Sequence, residues 1–144
     1  WQKRPNKSEN YWIENTLEAI ETDSPEYFLL VFLEAWKAQQ WGKMTPLLLH
    51  NISKHVGKAT KEVVNDYKKI ELRSYQIKYL EDQTPSSTRI LTLLEFMKNE
   101  VLHSIEINIS LNYADSTNGL PELRGEANGQ WYILQASLID ILFS

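Results

Sequence analysis

The chain contains no cysteine and only three histidines. Without cysteine, disulfide bonds, thiolate nucleophiles and thiolate metal ligands are all excluded. His50, His55 and His103 do not have the spacing of zinc ligands, so the sequence predicts no metal site. We also expect no cofactor. No apolar run reaches the roughly 18 residues that indicate a membrane-spanning helix, so we expect no membrane span in this chain.

An excess of basic residues is also missing, because the formal net charge is −4. No basic stripe is interleaved with aromatic residues, so nucleic acid is not an expected partner. The length of 144 residues and the hydrophobic content of 42% fit one globular domain with a substantial core. The chain begins at Trp1 rather than Met, and we therefore expect a processed product or a domain of a longer protein, in the cytoplasm or outside it.

One apolar stretch, from Ser24 to Gly42, is predicted to form a long helix around which the rest of the chain is organised. Ser24 is a favourable N-cap, and a proline follows it in the first helical turn. Phe28, Phe32 and Trp36 share one stripe at helical spacing, and the flanking leucines widen it. Gly42 is expected to end the helix in a left-handed C-cap. A helix this apolar must be covered on most sides.

The other helical patterns are shorter. Residues 1–9 are polar and predict a flexible arm, and residues 10–144 are expected to form a single domain. Residues 11–20 predict a short amphipathic helix, and a second short helix is expected to begin at Thr45 and Pro46. A third helix is predicted over residues 58–69, and its buried side consists of Val63, Val64, Tyr67 and Ile70.

A period of two then predicts four strands, over residues 73–80, 88–97 and 101–113 and from Gly129 onward. In the first, Arg73, Tyr75, Ile77 and Tyr79 are expected on one face. In the second, Ile90, Leu94 and Phe96 are expected on one face and Leu91, Leu93 and Met97 on the other. In the third, Val101, Ile105, Ile107, Ile109 and Leu111 are expected to face inward. Helices followed by strands indicate an α+β fold, with the N-terminal helices packed in the concavity of a curved antiparallel sheet.

This order of elements resembles the nuclear-transport-factor-two-like superfamily, which is also described as a cystatin-like fold. The resemblance covers residues 24–137 and depends on the aromatic helix end over residues 35–44 and on the closing glycine–tryptophan segment over residues 128–134. It implies a cone-shaped domain with an open mouth where relatives bind ligands. The superfamily includes ketosteroid isomerase and scytalone dehydratase, and it also includes non-catalytic accessory domains of bacterial envelope, cell-wall and conjugation proteins.

Two sets of site residues follow from this resemblance. The candidates for a ligand pocket inside the cone are Trp36, Tyr67, Tyr79, Phe96, His103 and Trp131. His103 offers a general base or a pH-sensitive ligand contact, but no acidic residue shares its strand face. A histidine near a strand end that is solvated or hydrogen-bonded to the backbone is therefore the favoured interpretation. We therefore assign no catalytic residue. An isomerase, dehydratase or cyclase with a pocket around His103 remains the alternative, as does a binder of a small apolar ligand.

The second set consists of outward-facing apolar residues. The candidates for a dimer face are Leu91, Leu93, Met97, Tyr132 and Leu134. A helix layer covers one side of a sheet, so the other side needs a second copy of the chain, another protein partner or the apolar segment 139–143. The sequence thus favours a non-catalytic binding and dimerisation module. An interior filled by Trp36, Phe96 and Trp131 would favour this hypothesis, whereas a pocket that reaches His103 would favour the enzyme.

Overall fold

The computed structural model describes residues 15–48, 60–117, 120, 122–124 and 129–134. The predicted arm 1–9 and the C-terminal segment 139–143 lie outside these residues. The helices are α1 (Pro25–Lys37), α2 (Trp41–Met44) and α3 (Thr60–Tyr67), with short 3-10 turns at Leu17–Ala19 and Thr45–Leu47. The strands are β1 (Glu71–Gln83), β2 (Ser87–Lys98), β3 (Val101–Asp115) and β4 (Gly129–Ile133). They form one antiparallel sheet in the order β1-β2-β3-β4. The α+β prediction with four strands is confirmed.

Helix α1 begins as predicted but ends earlier. The Ser24 hydroxyl accepts a hydrogen bond from the Tyr27 amide at 3.3 Å, which caps the first turn. At the other end, Gln39 has a left-handed φ of 59°. The amide of Gln39 donates to the Trp36 carbonyl at 3.1 Å, and the amide of Gln40 donates to the Ala35 carbonyl at 2.8 Å. These two bonds form a Schellman motif that ends the helix.

The predicted C-cap at Gly42 is therefore wrong. Gly42 lies inside α2, and a methyl group added to it would meet no atom within 4 Å. The carbonyls of Ala35 and Trp36 already accept hydrogen bonds from the amides of Gln40 and Gln39, so the helix ends here and does not need a glycine further along. A sequence rule that looks for glycine after a helix misses an ending built on glutamine.

A glycine at position 39 is expected to stabilise the fold. A side chain in the left-handed region costs about 1 kcal/mol relative to glycine, so Gln39→Gly should raise the free energy of unfolding by up to about that amount. Urea denaturation measures the change. Gln40→Gly is the matched control, because Gln40 has an ordinary φ of −94°. The control should be neutral or destabilising, and an equal gain from both variants would contradict the strain at Gln39.

Strand β1 does not keep the strict alternation predicted for it. Its pairing with β2 shifts between Leu72 and Ser74, between Ile77 and Tyr79, and between Leu80 and Asp82. Each shift inserts one unpaired residue, as in a β-bulge, which bends the strand and increases its twist. The second shift moves the inward position from residue 79 to Leu80, which is fully buried. Tyr79 lies opposite Leu91 on the outer face instead of on the predicted inner face.

The inner face of the sheet and the helices share one hydrophobic core. The inward positions of β2 and β3 are buried: Ile90, Leu94 and Phe96 on β2, and Ile107, Ile109 and Leu111 on β3. These residues belong to the same buried cluster as the apolar side of α1 and as Val63, Val64, Tyr67 and Ile70 of the α3 region. The predicted buried side of α3 is therefore confirmed. The repeated bulges of β1 give the open sheet its curvature.

In the described part of the chain, the two edges of the sheet differ in what pairs with them. At β1, the Asn15 side chain accepts a hydrogen bond from the Ile77 amide at 2.8 Å and donates to the Ile77 carbonyl at 3.0 Å. Asn15 thereby mimics a paired strand at this point. At the other side, β4 pairs with β3 only over Leu111–Asp115. Among the described residues, no strand pairs with this edge of β3 between Val101 and Ile109.

Arg124 connects three separate segments. Its guanidinium donates hydrogen bonds to the carbonyls of Thr84, Pro85 and Ser87 in the turn between β1 and β2. It also lies over the Trp131 ring, with 4.8 Å between the guanidinium carbon and the ring centroid. A planar cation with several fixed donors is suited to this combination of carbonyl contacts and ring stacking. Arg124 therefore holds the β1–β2 turn against β4.

Removal of this guanidinium should destabilise the domain. Arg124→Met keeps an apolar stem over Trp131 but removes the guanidinium bonds to the three carbonyls, of which those of Pro85 and Ser87 keep backbone donors. The loss of these charged donors should cost about 1.5 kcal/mol. Arg73→Met is the matched control, because Arg73 forms an exposed ion pair with Glu71 that should contribute less than about 1 kcal/mol. Urea denaturation of both variants tests the difference. Equal losses would contradict the role of Arg124.

Candidate functional site

Four of the six predicted pocket residues are buried in the core. Trp36 and Trp131 are each 1% exposed, Phe96 is 3% exposed, and Tyr67 is fully buried. The rings of Trp36 and Tyr67 meet edge to face with centroids 5.1 Å apart. The Trp36 indole donates a hydrogen bond to the Ile70 carbonyl at 3.0 Å. These side chains belong to the hydrophobic core between the helices and the sheet.

His103 lies on the predicted inner face but is exposed. It pairs with Phe96 across the β2–β3 ladder, and the two rings stack with centroids 5.3 Å apart and an interplanar angle of 14°. Val101, Leu102 and Ser104 around it are also exposed, so this end of the hairpin extends past the helices. The described residues provide no carboxylate in hydrogen-bond or ion-pair contact with His103. The structure thus separates His103 from the buried aromatic residues Trp36, Tyr67 and Trp131.

Two tyrosines on the inner side have raised pKa values. Burial raises the pKa of Tyr67, and the nearby Asp66 carboxylate adds to this effect. Burial also raises the pKa of Tyr75 to about 12, helped by the charge of Glu34 and by the hydrogen bond that the Tyr75 hydroxyl donates to it. Both phenols are therefore neutral at physiological pH and are suited to packing and hydrogen bonding, not to service as bases.

These pKa values predict a loss of stability in alkali. An unfolded tyrosine has a pKa of about 10, so the unfolded chain releases protons above that pH while folded Tyr67 retains its own. The contribution of Tyr67 is fully present below pH ~10 and falls by about 1.4 kcal/mol for each pH unit above it. Urea midpoints measured from pH 8 upward should show this decline. Tyr67→Phe should make the decline shallower, and an unchanged slope would contradict the assignment.

A cleft of about 410 Å³ lies where the helix ends meet the β2–β3 hairpin. We call it the lysine–tryptophan cleft. Its lining residues are Trp36, Lys37, Gln39, Trp41, Lys68, Lys69, Ile70, Glu71, Leu72, Met97, Asn99 and Glu100. Trp36 is the one predicted pocket residue among them, and His103 is not part of it. The volume lies within the range of small-molecule sites.

The charged groups of the cleft fall into two kinds. Lys69 pairs with Asp66 at 3.5 Å, and Glu71 pairs with Arg73 at 3.0 Å. Lys68 instead lies over the Trp41 ring, with its ammonium nitrogen 5.8 Å from the centroid. Lys37 lies 6.0 Å from the centroid of the Tyr75 ring. The ammonium groups of Lys37 and Lys68 therefore have ring contacts and no carboxylate partner among the described residues.

The predicted dimer face is split between two parts of the outer surface. Leu91, Leu93 and Met97 are half-buried along β2. Lys78 on β1 reaches Glu106 on β3, with 2.9 Å between the ammonium nitrogen and the carboxylate oxygen, so its stem crosses the outer side of β2. Tyr132 and Leu134 lie near β4 and pack with Ala114 in a separate cluster, where Tyr132 is only 4% exposed. The row on β2 therefore offers more free apolar surface than Tyr132.

The described residues define a small α+β domain with a four-stranded, curved antiparallel sheet. No protein-family model matches the chain, and no curated protein matches its sequence. In structure it is similar to a SEC-C motif containing protein from Psychrobacter arcticus, with a TM-score of 0.56 and 12% sequence identity. The similarity covers 81% of this chain but 61% of that protein, so the chain spans less than two thirds of its length. At this identity the similarity supports the fold alone.

The described residues contain no group of three or more acidic or histidine side chains placed to hold a metal ion. In the same part of the chain, no helix is long and apolar enough to cross a membrane. Sequence reasoning did not single out Gln39, Trp41 or Arg124. Trp41 lies at the end of one predicted helix, and the lysines at positions 68 and 69 lie at the end of another. For these residues the sequence therefore held a signal. For Arg124 there was none, because the hydrogen bonds of its guanidinium span 36 to 40 residues.

Proposed function

We propose that this chain is a non-catalytic binding module of the cone-shaped, nuclear-transport-factor-two-like kind, and that it associates with a second copy of itself through the outer face of the sheet. The burial of predicted pocket residues supports the non-catalytic half of this proposal. Trp36, Phe96 and Trp131 are packed in the hydrophobic core that the helices share with the sheet. The curved four-stranded sheet and the long helix α1 support the cone-shaped fold.

The apolar row on β2 supports association. Leu91, Leu93 and Met97 lie on the outer face of the second strand, with Glu95 between the last two, and Leu102 pairs with Met97 and is 59% exposed. Tyr79 extends the row on β1, opposite Leu91. Two copies related by a two-fold axis would place the same row on both sides of the interface, which is the usual geometry of a homodimer. Association would remove Leu102 and the row from water.

The experiment compares two variants on neighbouring strands. Leu93→Glu places a charge in the row, whereas Gln76→Glu places the same charge on the residue that pairs with Leu93 on β1 and is already exposed. Light scattering at high micromolar concentration should show dimers for the native chain and for Gln76→Glu, and monomers for Leu93→Glu. A native chain that is strictly monomeric under these conditions would overturn the dimer half of the proposal.

The enzymatic alternative receives less support. An isomerase, dehydratase or cyclase of this kind needs an acid–base pair in an enclosed pocket. His103 is exposed and stacks on Phe96, and the lysine–tryptophan cleft does not include it. We further propose that the module is an accessory domain of a longer bacterial envelope or regulatory protein.

A further inference from the structure

Backbone strain is concentrated at the lysine–tryptophan cleft. Among the described residues, the non-glycine residues with positive φ are Gln39, Asn99 and Glu100, at 59°, 53° and 65°. All three line this one cleft, although they come from the end of α1 and from the β2–β3 turn. Glycine would hold positions 39 and 100 at lower energy, whereas asparagine at position 99 tolerates the left-handed conformation. Side chains kept in such conformations cluster at ligand sites, where the side chain has a use beyond the turn itself.

The walls of the cleft combine aromatic and aliphatic surface. Trp41 is half-buried and presents its indole beside Lys68. Ile70 and Leu72 form buried wall, and Met97 is half-buried beside them. Surfaces of this kind bind flat apolar rings, which exchange water contacts for contacts with indole and aliphatic groups. The shape and the lining therefore fit the ring system of a small aromatic molecule.

The charges of the cleft select a monoanion. Three lysines and two glutamates line it, which leaves one positive charge. The pairs of Lys69 with Asp66 and of Glu71 with Arg73 cancel locally, and the remaining Lys37, Lys68 and Glu100 leave the same single charge. One carboxylate balances this single charge, whereas a dianionic phosphate would leave the site with a net negative charge. This positive site stands on a chain whose net charge is −4.

We propose that the lysine–tryptophan cleft binds a small aromatic carboxylate. Its ring lies against Trp41, and its carboxylate accepts hydrogen bonds from the ammonium groups of Lys37 and Lys68, which the described residues leave without a carboxylate partner. Gln39 and Asn99 supply amide groups at the rim. The site is separate from the outer face of β2, so its occupation does not depend on dimerisation.

Binding of naphthoate tests the proposal, with naphthamide as its neutral counterpart of the same shape and inorganic phosphate as an anion without a ring. Calorimetric titration of the full chain should show saturable binding of naphthoate. Naphthamide should bind about tenfold more weakly, because it lacks the charge that the lysines recognise. Phosphate should not compete. Equal affinity for naphthoate and naphthamide, competition by phosphate, or no binding of naphthoate up to its solubility limit would each overturn the proposal.

Variants of the cleft residues and NMR spectra of the indole N–H groups test where naphthoate binds. Lys68→Gln and Trp41→Leu should each weaken naphthoate binding about fivefold to tenfold. Lys78→Gln is the matched control on the outer face and should leave the affinity unchanged. In NMR spectra the Trp41 indole N–H should shift on titration while that of the buried Trp131 should not. Unchanged affinity of a folded Lys68→Gln protein, or a shift confined to Trp131, would contradict the assignment. Leu93→Glu should bind naphthoate normally, which separates this test from that of the dimer.

Discussion

Replacing Trp36 by alanine should destabilise the domain by about 5 kcal/mol, the largest effect expected from a single substitution at one side chain. Trp36 is 1% exposed and contacts Phe32 and Tyr67 through its ring. Its removal leaves a cavity that the surrounding rigid rings cannot close. It also leaves the buried Ile70 carbonyl without the indole donor at 3.0 Å. Since domains of this size are stable by about 5–15 kcal/mol, this variant should lie near the limit of folding.

Two further variants separate these causes in urea denaturation experiments. Trp36→Phe keeps most of the ring volume but removes the N–H group, so it should cost about 2 kcal/mol and still fold. Trp41→Ala is the matched control, because the same atoms are deleted from a half-buried ring at the surface. Its loss should be less than half that of Trp36→Ala. Similar losses at both positions would contradict the central place of Trp36 in the core.

The second large effect is expected at Gly129. Its backbone pairs with Asp115 at the start of β4, and the Tyr113 ring lies directly over it. A Cβ atom at this position would lie 2.6 Å from the ring carbon Cζ and 2.9 Å from the hydroxyl oxygen of Tyr113. The ring is only 8% exposed and packs edge to face on Trp131 with centroids 5.3 Å apart, so it has little room to move. Gly129→Ala should therefore cost about 3 kcal/mol.

Gly42→Ala is the matched control for this substitution. A methyl group at Gly42 meets no atom within 4 Å and lies in helix α2, so the variant should be neutral or more stable by up to about 1 kcal/mol. A double variant tests the mechanism at Gly129. Tyr113→Leu should be destabilising alone, but adding Gly129→Ala to it should cost much less than in the native chain. Additive losses would show that Tyr113 is not the obstacle.

The proposals for dimerisation and for the lysine–tryptophan cleft concern different surfaces. The outer row belongs to β2, in the middle of the sheet, while the cleft lies at the ends of α1 and α3 and at the β2–β3 turn. A module with both surfaces could associate with itself and bind a small anion independently. Light scattering of the native chain with and without naphthoate therefore adds a direct comparison. The two proposals predict the same dimer fraction in both samples.

Much of the fold was predictable because its signals are local. The Ser24 cap, the buried side of α3 and the alternation along β2 and β3 depend on residues within a few positions of each other. The β2–β3 turn was predictable for the same reason, since the two strand patterns over residues 88–97 and 101–113 leave only three residues between them. In the structure, Lys98 and Val101 pair directly across Asn99 and Glu100. These patterns follow from the fixed residue periods of helices and strands, which place side chains at regular spacings on the same face of the element.

Other features depended on contacts that no local pattern reports. The bulges of β1 follow from its register against β2, and they moved Tyr79 to the outer face. His103 kept its predicted face, yet the hairpin carries it past the helices and leaves it exposed. The candidate site changed accordingly, from a pocket inside the sheet to a cleft formed by helix ends and a turn.

The sequence by itself determined the class of the fold, since capping, helical spacing and strand alternation are set by neighbouring residues. It also determined which aromatic residues would be buried, because Trp36 and Trp131 lie on strongly apolar faces. Only the tertiary structure decided that Arg124 joins the β1–β2 turn to Trp131, and that Gln39, Asn99 and Glu100 meet at one cleft. The reason is physical: these contacts join residues far apart in the chain, and their geometry depends on how whole elements pack together.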